Sequence, residues 1–518
     1  MSAEPVTFVE KSLAARRRRY LPLRVLALLI VLAVIAAIVI AVVLGIGMVG
    51  ASRATFKDNE QHFLHGSIGA EQSSGIPYQV WQALPVLFPE DFEGRQDYQA
   101  FGFLYQESAH GKDDLPIGIA RSPQLGIELV WFNCAVCHAG TYRLEEGGER
   151  HLVPGMPSNN LDIFRFTAFI VKAAASDRLA AEPLFAAMKR SGHGLHLWAR
   201  RFWRMFEGPR RREELLRVRS AMLPLMQRQP AWGPGRVDTF NPYKVLEFGM
   251  PGEELTDSEV VGASDFPSIF LQGPREGMDL HWDGNNPSLN ERNLSAALGA
   301  GVTPDTVDHA GVEKIAAWLY DLTPPPSPFA PDAEAVKRGE GYYNENCLTC
   351  HGYQGEQGYV FAGEGIERLG FVEEIEDIQT DRRRLDSYTP EFNRRQLTEL
   401  FAGTRYQFKQ FRKTNGYSNM PLDGLWLRGP YLHNGSVPTL KALLDDPADR
   451  PSAYLRGSDV VDAENGGFVS PACTPGEPVE GGFCFDTSQP GNANTGHVYG
   501  TDLSPEAKAD LLAYLLTF

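Results

Sequence analysis

Positive charge is in deficit along this chain: 49 Lys and Arg stand against 65 Asp and Glu, a net charge of −16 over 518 residues. Outside the extreme N-terminus there is no basic face to neutralise phosphates, which excludes a nucleic-acid partner. The acidic balance suits a partner with a basic patch, and it is equally the ordinary condition for staying in solution. Signs of wholesale disorder are lacking too, since 43% hydrophobic and 22% charged residues make an ordinary globular composition, with length for about three domain-sized pieces. Short internal repeats are not apparent. Cysteine is scarce, with six residues, and a single scheme uses them all.

Four of the six fall in two stretches of one form, Cys134-Ala135-Val136-Cys137-His138 and Cys347-Leu348-Thr349-Cys350-His351. C-x-x-C-H is the attachment sequence of c-type haem: two thiols become thioethers on one edge of the porphyrin, and the adjacent histidine turns under the iron. A bare CxxC would also suit a zinc half-site or a thioredoxin-like redox pair. Both copies here carry the histidine, and neither a second CxxC nor a strand opening the helix is expected nearby. Two covalently bound haem c groups are therefore expected. Cys473 and Cys484 remain, and in an oxidising compartment they would close a loop in a Gly- and Pro-rich segment.

Val25 to Gly50 is a run of 26 residues without a charge, preceded by Arg16, Arg17, Arg18, Arg19 and Arg24. A spanning helix needs about 20 such residues and a cleavable signal about 7 to 15. The run reads as an uncleaved anchor with its arginines in the cytoplasm. The expectation is a single-pass protein of the inner membrane, held to the membrane by this helix, with its haem domains in the periplasm.

Five segments follow from this pass along the chain: a basic cytoplasmic N-terminus (1–24), the anchor (25–50), a first cytochrome c-like haem domain (51–323), a Pro-rich linker (324–334) around Pro324-Pro325-Pro326, and a second cytochrome c domain (335–518). Helical periodicity is read from Leu161 to about Met226, over Asn290 to Gly299, from Gly311 to Leu322, from Ala335 to Asn344 and from Pro505 to Leu516. The expected fold class is mainly α: two class I cytochrome c-like domains, the first enlarged by a helical insertion, preceded by one transmembrane helix.

Trp282-Asp283-Gly284, Arg236-Val237-Asp238-Thr239-Phe240-Asn241-Pro242, Pro421-Leu422-Asp423-Gly424-Leu425-Trp426, Pro430-Tyr431-Leu432-His433-Asn434-Gly435-Ser436 and Gly496-His497-Val498-Tyr499-Gly500-Thr501 accompany the two haem motifs. Together they resemble the di-haem cytochrome c peroxidase and MauG superfamily, and most closely its rubber-oxygenase branch of RoxA-like proteins. The resemblance implies one haem as electron reservoir and the other as reaction centre. It makes His138 and His351 the proximal iron ligands and places His497 as the other ligand of the second haem, with His433 and Met420 as competitors. It makes Trp282 an electron relay between the haems, against the plainer reading of a core aromatic. Where the peroxidases carry a glutamine and an acid-base glutamate, this chain has Arg292 and Val302; Glu291 is the neighbouring carboxylate that would substitute. An apolar residue cannot move a proton between peroxide oxygens, so the departure favours dioxygen binding over peroxide reduction. Some relatives hold a calcium ion between their domains, which leaves Ca2+ open here.

The expectation is a di-haem oxidoreductase, with dioxygen or hydrogen peroxide bound at the haem on His138 and electrons relayed by the haem on His351. The alternative is a pure electron-transfer cytochrome with two six-coordinate haems, passing electrons to a soluble carrier.

Overall fold

The computed structural model describes residues 25–35, 56, 58–108, 111–112, 115–124, 126–479 and 481–518. The chain is 39% helical, with one three-stranded and six two-stranded sheets among the described residues, so the mainly α expectation is corrected to a mixed fold. The physical reason lies in the punctuation. Fifty-one glycines and 36 prolines punctuate the chain, and the strands between them run only two to six residues.

The membrane anchor is also corrected. Of the run from Val25 to Gly50 only residues 25–35 are described, as a helix, while 36–50 lie outside the described residues. No helix among the described residues is long and apolar enough to cross a membrane. This finding overturns the expected transmembrane helix and, with it, the inner-membrane localisation. The basic segment 1–24 also lies outside the described residues.

The helix Tyr78–Leu87 packs into an aromatic core in which Trp81 stacks on Tyr98 at 3.9 Å and Phe92, Phe101, Phe103, Phe166 and Phe169 meet edge to face. Strands Ile119–Gln124 and Ile127–Phe132 pair antiparallel beside it. The second strand runs directly into the first C-x-x-C-H, contrary to expectation. Asn133 makes the join: its amide donates to the carbonyls of Phe63 and Gly66, and its carbonyl oxygen accepts from the N–H of Ala135, opening the short helix Ala135–His138. The expected insertion is helical, as Ile163–Ala174, Ala181–Arg190, Leu197–Phe202 and Gly208–Met226.

In the second half, helix Ala333–Asn346 leads to the second motif and crosses helix Pro505–Leu515, which Ser504 caps. The crossing is close because residue 339 is glycine: a Cβ there would sit 2.0 Å from the Asp510 carbonyl oxygen. Tyr343 fills the crossing, with its ring 5.2 Å from those of Tyr514 and Phe518.

The halves flanking the proline run are intimately joined. Phe392, Phe401, Phe408 and Phe411 of the second half share a core with Phe63, Phe240, Tyr243 and Ile315 of the first. Ion pairs with at least one buried partner cross between the halves: Arg275 with Asp423, Arg384 with Asp283, Arg456 with Asp265, and Arg143 with Asp459.

One turn occurs twice. Leu280 pairs antiparallel with Asn286, and Tyr431 with Val437. Residues 281 and 432 both take positive φ, 65° and 67°, as do Gly284 and Gly435 at 59° and 62°. Ser288 and Thr439 then cap the helices Leu289–Gly299 and Leu440–Leu443. The copies share only Gly-x-x-Pro-[Ser/Thr]-Leu. In the aligned turns Trp282 corresponds to His433, and His281 to Leu432.

Candidate haem sites

The second site is built on the short helix Leu348–His351. The Nδ1–H of His351 donates to the carbonyl of Met420 at 2.7 Å. Since a carbonyl only accepts, the proton is on Nδ1, and Nε2 keeps its lone pair for a metal. Opposite stands His497, its ring centre 6.2 Å from that of His351. Two imidazoles sharing one metal, each at about 2 Å, have ring centres about 6 Å apart, so the spacing fits a bis-histidine iron. Burial, then the neighbouring His351 and Arg450, push His497 down to about 3, and burial lowers His351. Both rings are thus held in the neutral, ligating form.

His497 sits at φ 48° after Gly496 at φ 72°. Arg450 staples this loop: its guanidinium donates to the carbonyls of Asn494, Gly496 and His497 and to that of Leu443. Sequence reasoning missed Arg450, which no motif marks. Met420 supplies its carbonyl to His351, and His433 stacks on Tyr417 with ring centres 3.8 Å apart.

The first site opens on a cavity of about 800 Å³. Cys134, Cys137 and His138 line it, and the Nδ1–H of His138 donates to the Pro267 carbonyl at 3.0 Å, again freeing Nε2. Burial, and then Arg292, push His138 down to about 4. Burial also pushes the Cys134 thiol up to about 11 and that of Cys137 up to about 12. Buried neutral thiols beside a free imidazole nitrogen and an apolar cavity suit a thioether-linked porphyrin. Among the described residues no group of three or more His, Cys, Asp and Glu could hold a metal ion, and no ring contact pairs His138 with a second histidine.

Residues from both halves wall the cavity: Trp203 and Arg212 of the insertion, Trp282 and Arg292, and Phe392 and Phe411 from beyond the proline run. Arg292 is lowered to about 10 by burial and by Arg275, forms no ion pair among the described residues, and donates to Asn293, which donates to Gln272. Trp282 donates its indole N–H to the carbonyl of Asp265 at 2.8 Å and packs against Ile375, Leu385 and Tyr417. Glu291 lies outside the cavity lining. Its carboxylate accepts from the Asn286 amide and from the N–H groups of Lys409 and Gln410, so it latches the 409–410 loop to the helix start. Val302 is fully buried in the core.

One residue missed from the sequence stands out. His281 lines the cavity, with its Nε2 buried and lacking a hydrogen-bond partner. Burial, opposed by Asp283 and reinforced by Arg292 and Arg384, pushes it down to about 3. Its signal was the turn repeat, which sets it against Leu432. Cys473 and Cys484 form a disulfide, with Cα atoms 5.9 Å apart.

Residues 416–455 match the RoxA-like, cytochrome c-like family. That stretch carries the Met420 carbonyl, the second copy of the turn and Arg450. The chain is also similar to three curated proteins. An uncharacterized protein of Sinorhizobium fredii, y4iM, is 29% identical over 253 residues, which is 45% of this chain and 56% of that one. A second from the same organism, y4iJ, is 38% identical over 148 residues, 27% of this chain and 23% of the relative. Cytochrome c550 of Pseudomonas aeruginosa is 40% identical over 67 residues, 13% of this chain and 46% of the cytochrome. The match thus spans about half the length of the first relative and under a quarter of the second. Together with the geometry at Cys134 and Cys347, these likenesses support a c-type cytochrome with covalently attached haem, a protein of haem-based electron transfer or oxidoreduction.

Proposed function

We propose that the chain is a di-haem oxidoreductase in which the site on His138 takes dioxygen or peroxide and the site on His351 and His497 holds and relays electrons. One observation carries the reading: the sites are unequal. His351 faces a second imidazole at metal-sharing distance, whereas His138 faces a cavity of about 800 Å³ and, among the described residues, has no histidine ring in contact. A haem with an open axial position binds dioxygen or peroxide and exchanges electrons, while bis-histidine ligation lowers the reduction potential relative to His/Met.

The chain's own residues then have distinct tasks. The carbonyls of Pro267 and Met420 aim His138 and His351 by holding their protons on Nδ1, and burial keeps both rings neutral. Arg450 holds His497 in place. The helical insertion and the aromatics of residues 392–411 wall the first cavity. Trp282 lies between the sites: its carbonyl accepts from the N–H of Ser418, two residues before the Met420 carbonyl that braces His351. This continuity supports a relay role.

Optical and EPR spectra of the purified protein, before and after carbon monoxide is added to the reduced form, test the reading. The expected result is one low-spin haem that ignores carbon monoxide and one that binds it. Two inert low-spin haems would instead define an electron-transfer cytochrome.

A further inference from the structure

The repeated turn gives the first cavity a feature that the second site lacks. In the second copy, Leu432 packs into the apolar cluster that holds Cys347 and Leu348. In the first copy the same position, at nearly the same positive φ, holds His281, and its ring lines the cavity that holds Cys134 and His138. The left-handed conformation is uncommon outside glycine, and its occurrence at both positions sets residue 281 toward one site as residue 432 is set toward the other. An apolar residue would serve if packing were the only task. Instead, a polar ring has its Nε2 buried and unpartnered, and Arg292, a cation without a carboxylate, lines the same cavity.

We propose that His281 is the distal hydrogen-bond donor of the first haem site, presenting an N–H to a small polarised ligand bound opposite His138, with Arg292 adding positive potential. The ligand class is diatomic or linear and carries partial negative charge on its outer atom, as dioxygen, peroxide and azide do. A donor fixed before the ligand arrives stabilises that charge without reorganisation, and counts for more against a largely apolar wall than in water. Neutral apolar ligands gain nothing from it, so the residue sets selectivity as well as affinity. This inference rests on the open first site of the proposed function.

The test uses the intact chain with its haems attached, in four forms: unaltered, His281→Leu (the residue that the second copy carries), His281→Gln (which keeps an N–H donor) and Arg292→Met. Carbon monoxide on the reduced protein and azide on the oxidised protein are the probes. The expected result is carbon monoxide at one haem in every form. In His281→Leu the C–O stretch should move to higher frequency and azide affinity should fall about ten-fold or more, the size of a charge-assisted hydrogen bond. His281→Gln should recover most of both, and Arg292→Met should weaken azide without abolishing the stretch difference. An unchanged stretch and azide affinity in His281→Leu overturn the donor role while the open site stands. Carbon monoxide binding that appears only when His281 is removed makes it an axial ligand and also overturns the proposal. No carbon monoxide binding in any form overturns the open site itself.

Discussion

Trp282 and His433 occupy the same position in two copies of one turn, and both hold the main chain of Asp265. The indole donates to its carbonyl, and the His433 carbonyl accepts from its N–H. Asp265 is itself buried, with its carboxylate on Arg456 at 2.7 Å. The two halves thus meet around one aspartate, and the tryptophan at the meeting point also lines the first cavity.

Trp282→Phe keeps an aromatic ring but removes the bond to Asp265. If Trp282 is the relay, reduction of the carbon monoxide-binding haem by electrons entering at the other should slow in stopped-flow measurements, with both absorption spectra unchanged. An unaltered rate would leave Trp282 a core residue.

His497→Ala should convert one low-spin haem to high-spin while both haems remain covalently attached. EPR reads the change, and mass spectrometry confirms the attachment. A spectrum identical to that of the parent would remove His497 from the iron.

Arg450→Met leaves the carbonyls of Leu443, Asp445, Asn494, Gly496 and His497 short of a donor and should lower stability by about 2–3 kcal/mol. The loop carrying His497 should also loosen, giving a mixed-spin EPR signal from the same haem. Thermal unfolding with spectra at each temperature separates the two effects.

Glu291→Gln should cost about 1–2 kcal/mol in thermal unfolding, because the carboxylate holds two backbone N–H groups. Ligand binding and both haem spectra should stay as they were. A large loss of turnover with stability intact would make Glu291 chemical rather than structural.

Asp459 ties Thr141, Arg143 and Arg150 across the joint. Burial alone would raise it, but the bond from Arg143, the charge of Arg150 and the bond from Thr141 bring it below the ordinary carboxylate value of 3.8. A depressed carboxylate stabilises the fold above its unfolded value and loses that contribution as pH falls through the folded one. Stability should therefore drop on acidification below about pH 4 more steeply in the parent than in Asp459→Asn, as followed by unfolding at a series of pH values.

The attachment motifs, the insertion helices, the capped terminal helix and the cysteine pair were legible because each rests on local spacing: C-x-x-C-H, apolar residues every three or four positions, Ser504 before Pro505. The short sheets were not, since Tyr353–Gly355 and Gly358–Val360 pair over only three residues and leave no period to read. His281 was hidden for another reason. A ten-residue turn, from Leu280 to Leu289 and from Tyr431 to Leu440, repeated with only Gly, Pro, Ser or Thr and Leu in common, falls below what a repeat search sees, although the positions of those residues were in plain view. Arg450 works entirely through carbonyls, which no side-chain pattern announces. The wall formed by Phe392 and Phe411 is a long-range contact across the proline run, and the composition there suggested separation.

That wall has a bearing on biogenesis. The cavity around Cys134 is completed by residues made some 250 positions later in synthesis, at Phe392 and Phe411. Without Phe392 and Phe411 the first C-x-x-C-H would face a more open cleft. The first site is thus closed by the second half of the chain, whereas the second motif has its own closing helix, Pro505–Leu515.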